Sequence, residues 1–266
     1  MFKPKSVLMT CPTFGLDPNP NQWLATFMGA LNEFSLRGFK VNTYFPYRRP
    51  IAEAENEIAN MALTTNSDYI FRMDDDIWGF QKDFINKLID ADKDYISGAM
   101  FIAGFPYSRC AFERTDKSVP LPDIYAKKLL LLKEVEGRGI IPCDLTATPF
   151  TLIKTSIYEK MMPPYYESKK GVAMDSIFCQ KLLDMNIQPY VHMDVQVNHR
   201  HVTHWNRHYL YNAEARALLM SGVLPKNSPF YNILAEQFGP DGKKDILMLK
   251  GLKIDLASGT GASCDN

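Results

Sequence analysis

The sequence predicts an α/β protein with a mainly parallel sheet and helices on both faces. Short apolar segments alternate with amphipathic segments from residue 7 to residue 100. Parallel strands need a crossover between them, and a helix usually supplies it, so this alternation favours a parallel sheet. The chain has 266 residues, with 46% apolar and 23% charged residues, values typical of a globular protein with a sizeable core.

The elements of this first part follow from the period of the apolar residues. Strand-like apolar runs cover residues 7–10, 41–45, 69–73 and 95–100. Apolar residues at helical spacing predict helices over residues 23–36, 52–63 and 84–89. Ligands of such sheets bind beyond the carboxyl ends of the strands, so we expect the functional site at that edge.

The rest of the chain is less regular. Residues 102–125 contain three prolines and predict a long loop, of the kind that often forms a lid or binding segment. Later patterns predict strands, then helices, over these ranges: strands 129–132, 146–153 and 190–197; helices 155–161, 175–185 and 209–219. We expect a single α/β domain over residues 1–222 and a C-terminal extension over residues 223–266 that packs on it and ends in a frayed tail.

Charge and sorting signals narrow the classes of function. Lys and Arg number 30, as do Asp and Glu, so a general basic coat for nucleic acid is excluded while a local patch remains open. The sequence has neither the apolar core of a signal peptide nor an apolar run near the ~20 residues of a membrane span. We therefore expect a soluble, cytoplasmic protein. The five cysteines form no C-x-x-C pair, which argues against a zinc knuckle and a disulfide framework.

Three adjacent carboxylates, Asp74, Asp75 and Asp76, follow the apolar run 69–73. Their mutual repulsion is costly unless water or a cation screens it. In extended backbone Asp74 and Asp76 would point to the same side, where their oxygens could bind Mg²⁺ or Mn²⁺. A solvated acidic turn is the alternative, although the flanking apolar residues favour a partly enclosed site.

All five histidines fall in one short segment, which hints at a site because imidazole is a common metal ligand and proton carrier. They are His192, His199, His201, His204 and His208. Asp175 begins a predicted helix, where it would either favour the helix dipole or point into a cleft as a general base. Neither the P-loop pattern nor the serine hydrolase pattern G-x-S-x-G occurs.

Four segments, in this order along the chain, resemble the GT-A glycosyltransferases, especially the family-2-like members. Residues 7–10 with Pro12-Thr13 are similar to the first strand and nucleotide-binding loop of that family. Residues 69–76 are similar to the strand that ends in its D-x-D motif. Residues 143–154 resemble the acceptor-side strand, and residues 175–179 resemble the helix start E-D-x-x-F-C.

The chain also departs from the family pattern. Ala147 and Pro149 stand where glycines are usual, and Met174 replaces the Glu of the E-D pair. Only Asp175 therefore carries over as the candidate general base. The resemblance implies a Rossmann-like GT-A fold and transfer of a sugar from a nucleotide-sugar donor, most typically a UDP-sugar, with inversion.

The resemblance also implies a divalent metal, Mn²⁺ or Mg²⁺, and a set of residues for it. By position the metal ligands would be Asp74, Asp76 and His199. The donor contacts would be Thr10, Pro12, Thr13, Asp74 and Asp75. Arg48, Arg49 or Arg109 would either contact the diphosphate or lie on the surface as ordinary charges. His201, His204 and His208 would form a patch facing the acceptor, while His192 would be structural.

The acceptor is the least determined part. Some phage enzymes of this type modify hydroxymethylated pyrimidines, so a hydroxymethylated base in DNA is one expectation, and a soluble glycan is the other. A base in duplex DNA would have to be flipped out. A metal-dependent phosphohydrolase or nuclease, and a non-catalytic nucleotide-binding assembly protein, remain the alternatives.

Overall fold

The structure is a computed structural model, which describes residues 4–12, 20–79, 82–100, 108–122, 127–131, 137–170 and 172–199. All of these belong to one compact unit, Met1–Trp205, while the second unit, Asn206–Asn266, lies wholly outside them. The predicted boundary after residue 222 and the predicted helix 209–219 therefore stay predictions. None of the helices in the described part of the chain combines the length and apolar character needed to cross a membrane.

The order of strands and helices confirms the α/β class. In the described ranges the strands are β1 (Ser6–Thr10), β2 (Lys40–Tyr44), β3 (Tyr69–Met73), β4 (Ile77–Trp78), β5 (Tyr95–Met100), β6 (Ser108–Arg114), β7 (Lys127–Leu131), β8 (Ile140–Pro142), β9 (Leu145–Thr146), β10 (Phe150–Lys154) and β11 (Tyr190–His199). The helices are α1 (Pro20–Leu36), α2 (Ile51–Thr64), α3 (Phe84–Asp90), α4 (Ser156–Lys160) and α5 (Met174–Asp184).

A central sheet in the order β2-β1-β3-β10-β5-β11-β4, with β8 paired to β11, organises the domain. Strands β1, β2, β3, β5 and β11 run in one direction, while β4, β8 and β10 run against them. The predicted, mainly parallel sheet is confirmed. A second, three-stranded antiparallel sheet has the order β7-β6-β9.

Helices cover both faces of the central sheet, and its inner strands β1, β3 and β5 are buried along their whole length. On one face Phe71 of β3 packs in a cluster with Phe34 of α1 and Ile85 of α3. On the other face Ile70 packs with residues of α2, α4 and α5, including Phe178. Successive side chains of a strand alternate between faces, so Arg72 falls on the α2 and α5 side with Ile70.

The prediction of a loop over residues 102–125 is wrong in part, because β6 lies inside it. Its partners β7 and β9 come later in the sequence. The apolar residues of β6 are only Cys110, Ala111 and Phe112, between Arg109 and Glu113, so the local pattern is weak, and the surrounding prolines obscured it.

The prediction of one strand over residues 146–153 is also wrong. The chain forms two strands there: β9 pairs with β6 in the small sheet, and β10 lies between β3 and β5 in the central sheet. Residues 147–149 separate them, and Pro149 has no N–H to donate to a ladder. The break moves the chain from one sheet to the other.

The backbone of Gly98 in β5 is closely packed against its neighbours at the centre of the sheet. A Cβ at this position would lie 2.9 Å from Phe150 Cδ1 and 3.1 Å from the Val195 carbonyl oxygen. We expect Gly98→Ala to lower the free energy of unfolding by about 1–3 kcal/mol, because the core would have to move. Urea denaturation measures this change.

Gly29→Ala is the matched control. Gly29 lies in α1, and a Cβ added there would have Phe84 Cε1 as its nearest neighbour, at 3.9 Å. Alanine should stabilise this helix by about 0.5–1 kcal/mol. An unchanged urea midpoint for Gly98→Ala would contradict the tight packing around β5.

Candidate active site

The carboxyl ends of β1 and β3 lie side by side, since Thr10 pairs with Arg72 in the parallel ladder. Thr10 and Pro12 are buried there, whereas Thr13 lies outside the described residues. Burial, followed by the negative charges of Asp74 and Asp75, raises the pKa of the Cys11 thiol. The predicted donor loop and the aspartate triplet therefore meet at one edge of the sheet.

The three aspartates form a turn rather than extended backbone. Strand β3 ends at Met73, the Asp74 N–H donates to the Pro149 carbonyl at 2.9 Å, and the Ile77 N–H donates back to the Asp74 carbonyl at 3.2 Å. The expectation of extended backbone over Asp74–Asp76 is wrong, because the bond from the Ile77 N–H to the Asp74 carbonyl closes a turn there.

A buried ion pair lies directly beneath this turn. The Arg72 Nε donates to Glu55 Oε1 of α2, and both side chains are only 2% exposed. Arg72 Nη2 lies 2.8 Å from Asp74 Oδ1, and the Asp74 side chain is 22% exposed. Asp74 is thus the member of this group that reaches the surface.

The sequence held a signal for Glu55 and Arg72 that pattern reasoning missed. Glu55 lies on the buried stripe of α2, which also contains Ala52, Ala59 and Ala62. Arg72 interrupts a strand whose other four residues are apolar or aromatic. A charged residue on each of two buried faces predicts a pair, because a lone buried charge is costly.

Burial raises the pKa of Asp74 to about 7, and it does so although Arg72 opposes the rise. The charges of Glu55, Asp76 and Asp175 add to the effect. Asp74 Oδ1 also has no hydrogen-bond partner in the described residues, so its contact with Arg72 is an ion pair without good alignment. Excess negative charge therefore surrounds Asp74.

Asp175 belongs to the same group of charges. It lies in the first turn of α5, and the Thr148 hydroxyl donates to its Oδ1 at 2.8 Å. Burial alone would lower the pKa of the Arg72 guanidinium, but Asp74, Glu55 and Asp175 outweigh that effect and raise it. Arg72 thus contacts two carboxylates, and the charge of a third, the candidate base Asp175, also acts on it.

The structure gives only the backbone position of His199. It pairs with Ile77 across β11 and β4, which puts the His199 backbone beside the residue that follows Asp76. The His199 side chain lies outside the described part. Among the side chains described, no group of three or more His, Cys, Asp or Glu residues is arranged for a metal ion.

The remaining candidates have simpler settings. The Arg48 guanidinium lies 5.0 Å from the centre of the Tyr47 ring, and Arg49 Nε lies 3.3 Å from Glu57 Oε1. His192 is buried in β11, and burial lowers its pKa, which agrees with a structural role. The Arg109 side chain and three histidines lie outside the described part: His201, His204 and His208.

Comparison with known proteins gives fold-level likeness only. No family model matches the chain, and no curated protein sequence matches it. A crystal structure of A197 from STIV is similar over 73% of this chain and 85% of its own, with 15% identity and a TM-score of 0.45. A structure of GalNAc-T7 with UDP, GalNAc and Mn²⁺ is similar over 82% of this chain but 48% of its own, with 10% identity and a TM-score of 0.45.

The Glu55–Arg72 pair gives a stability prediction. We expect Glu55→Gln to lower the free energy of unfolding by about 3 kcal/mol, the lower end for a broken buried pair, because Arg72 keeps Asp74. Glu57→Gln, two residues along α2 and partly exposed, should cost less than about 1 kcal/mol. Urea denaturation of both variants measures the difference, and equal losses would contradict a special role for Glu55.

Asp74 gives a pH prediction for the protein in EDTA. Its folded pKa of about 7 exceeds the roughly 3.9 of an unfolded aspartate, so the folded state binds the proton more tightly. Wild type should therefore lose stability relative to Asp74→Asn as pH rises from about 4 to 7. Unfolding free energies at pH 5 and 8 measure this difference.

Asp116→Asn is the control, because a hydrogen bond from the Ser118 side chain holds the pKa of Asp116 below its usual range. Its difference from wild type should stay constant between pH 5 and 8. A pH-independent difference for Asp74→Asn would contradict the raised pKa.

Proposed function

We propose that this protein is a metal-dependent glycosyltransferase that moves a sugar from a nucleotide-sugar donor to an acceptor hydroxyl. The observation that carries the proposal is the buried Arg72 guanidinium, which is paired with Glu55 and Asp74 and is also affected by the charge of Asp175, at the carboxyl ends of two adjacent parallel strands. Ligands of α/β sheets bind at this edge. The order of the four sequence segments and the sheet topology support a GT-A-like enzyme.

The residues at the turn fit a divalent cation. Asp74 Oδ1 is buried and contacts Arg72 as an ion pair without a well-aligned hydrogen bond, and Asp76 adds negative charge beside it. Carboxylate oxygens, together with the imidazole of His199, suit Mn²⁺ or Mg²⁺. When bound, the metal would neutralise the charge of the departing nucleoside diphosphate.

The donor would lie over the end of β1. Thr10, Pro12 and Thr13 would line the nucleotide side, with Asp75 and Asp74 towards the ribose and diphosphate. A UDP-sugar is the donor class that we propose. The start of this loop is well packed, because Thr10, Cys11 and Pro12 are buried.

Asp175 would act as the general base. The acceptor oxygen forms a bond to the anomeric carbon as the bond from that carbon to the diphosphate oxygen breaks, and the diphosphate leaves with the electron pair. The hydroxyl proton passes to the Asp175 carboxylate. A direct displacement of this kind inverts the anomeric centre.

Two acceptor classes follow from the sequence, a hydroxymethylated base in DNA and a soluble glycan. The segment after residue 199, which contains histidine, arginine and tryptophan in the sequence, would supply cationic and aromatic contacts to either one. Cationic groups suit phosphates, and aromatic rings stack on bases. A cytoplasmic protein could meet both acceptors.

A thermal-shift panel tests donor and metal together. UDP-, GDP-, CMP- and dTDP-sugars should be compared with and without Mn²⁺, since a ligand of the folded state raises the melting temperature. We expect a shift with a UDP-sugar in Mn²⁺ and none in EDTA.

Asp76→Asn should lose this shift, and the exposed Asp116→Asn should keep it. Asp175→Asn should keep the shift but lose about 10²–10⁴-fold in transfer.

The outcomes separate the alternatives. Phosphodiester cleavage without any nucleotide sugar would favour a phosphohydrolase or nuclease. A folded protein that responds to no metal and no nucleotide would favour a non-catalytic assembly protein. Unchanged transfer by Asp175→Asn would remove this residue from the role of base.

A further inference from the structure

Thr148 and Pro149, which lie between β9 and β10, contact Asp175 and the aspartate turn of the candidate site. The Pro149 carbonyl accepts from the Asp74 N–H at 2.9 Å. The Thr148 hydroxyl donates to Asp175 Oδ1 at 2.8 Å. The segment that links the two sheets therefore also links the aspartate turn to the candidate base.

Thr148 is held rigidly in this position. The residue is only 2% exposed, and its carbonyl accepts from the Thr151 hydroxyl at 3.1 Å. On one side β9 is paired in the small sheet, and on the other β10 is paired between two strands of the central sheet. Because paired strands hold the backbone on both sides of Thr148, its hydroxyl can hold a carboxylate in one orientation.

The hydrogen bond from Thr148 reaches Asp175 from outside its own helix. Asp175 lies in the first turn of α5, where the helix has no side-chain cap from Ala173. The charges of Asp74 and Glu55 belong to the same group and repel it. A donated hydrogen bond of 2.8 Å fixes the rotation of the carboxylate against that repulsion.

We propose that Thr148 is a positioning residue that orients the Asp175 carboxylate towards the acceptor hydroxyl. This inference rests on the proposed glycosyltransferase function and adds to it the residue that sets the geometry of proton removal. Thr148 touches neither the donor nor the acceptor in this role. Its effect is transmitted wholly through Asp175.

Replacement of the hydroxyl tests the inference. Thr148→Val keeps the shape of the side chain, and Thr148→Ala removes it without added bulk. We expect either change to lower the kcat of transfer by about 10–100-fold, the scale of misplaced catalytic groups, with the donor KM within about twofold of wild type. Thr148→Ser, which keeps the hydroxyl, should retain most of the kcat.

Thr155→Val is the matched control, because Thr155 is also buried and its hydroxyl has no hydrogen-bond partner in the described residues. It follows the far end of β10 and should leave kcat unchanged. Circular dichroism and urea denaturation should show that each variant is folded. A kcat for Thr148→Ala within about twofold of wild type would overturn the inference.

A double-mutant cycle separates positioning from a merely structural role. If Thr148 acts through Asp175, Thr148→Val should cause no further loss of kcat in an Asp175→Asn background. A further loss of the same size there would show independent action and overturn the inference. If the wild type transfers no sugar from any nucleotide sugar, the proposed function is overturned, and this inference with it. If the wild type is active and Thr148→Val has the same kcat, only the role of Thr148 is overturned.

Discussion

The contact of the buried Arg72 guanidinium with Glu55 and Asp74 is the constraint on which the carboxyl edge of the sheet depends. A cation inside a core has to be paired, so α2 must present Glu55 to β3 and the chain must turn directly after Met73. Arg72 lies in a strand between β1 and β10, which makes this pairing central to the domain. The ion pair thereby fixes one helix, one strand and the aspartate turn relative to one another.

The same arrangement leaves the edge with more negative than positive charge. Burial raises the pKa of Asp74 to about 7, which means that this carboxylate is costly to keep ionised. A bound cation would offset that cost, so the feature that weakens the fold by itself is the one that would favour the proposed metal. An energetic cost of this kind is common at functional sites. Here the well-packed core on both faces of the sheet compensates for it.

The sequence predicted the elements that depend on local pattern. The run Tyr69–Met73 was predicted as a strand and forms β3, and the apolar spacing of residues 23–36 was recovered in α1, which begins at Pro20. It failed at β6, where the only apolar residues are Cys110, Ala111 and Phe112 and charged residues flank them. At the candidate site it pointed to Asp74 and Asp175, whose roles stay predictions, and it missed the contacts of Glu55, Arg72 and Thr148, since these join segments far apart in sequence.

By itself the sequence determined the α/β class, the acidic triplet after an apolar strand and the order of segments that resembles GT-A enzymes. Only the tertiary structure decided that Arg72 is paired with Glu55 and Asp74, and that the strand expected over residues 146–153 is broken so that Thr148 reaches Asp175. The physical reason is that periodicity and turn chemistry act over a few residues, whereas burial and charge pairing depend on which distant segments meet.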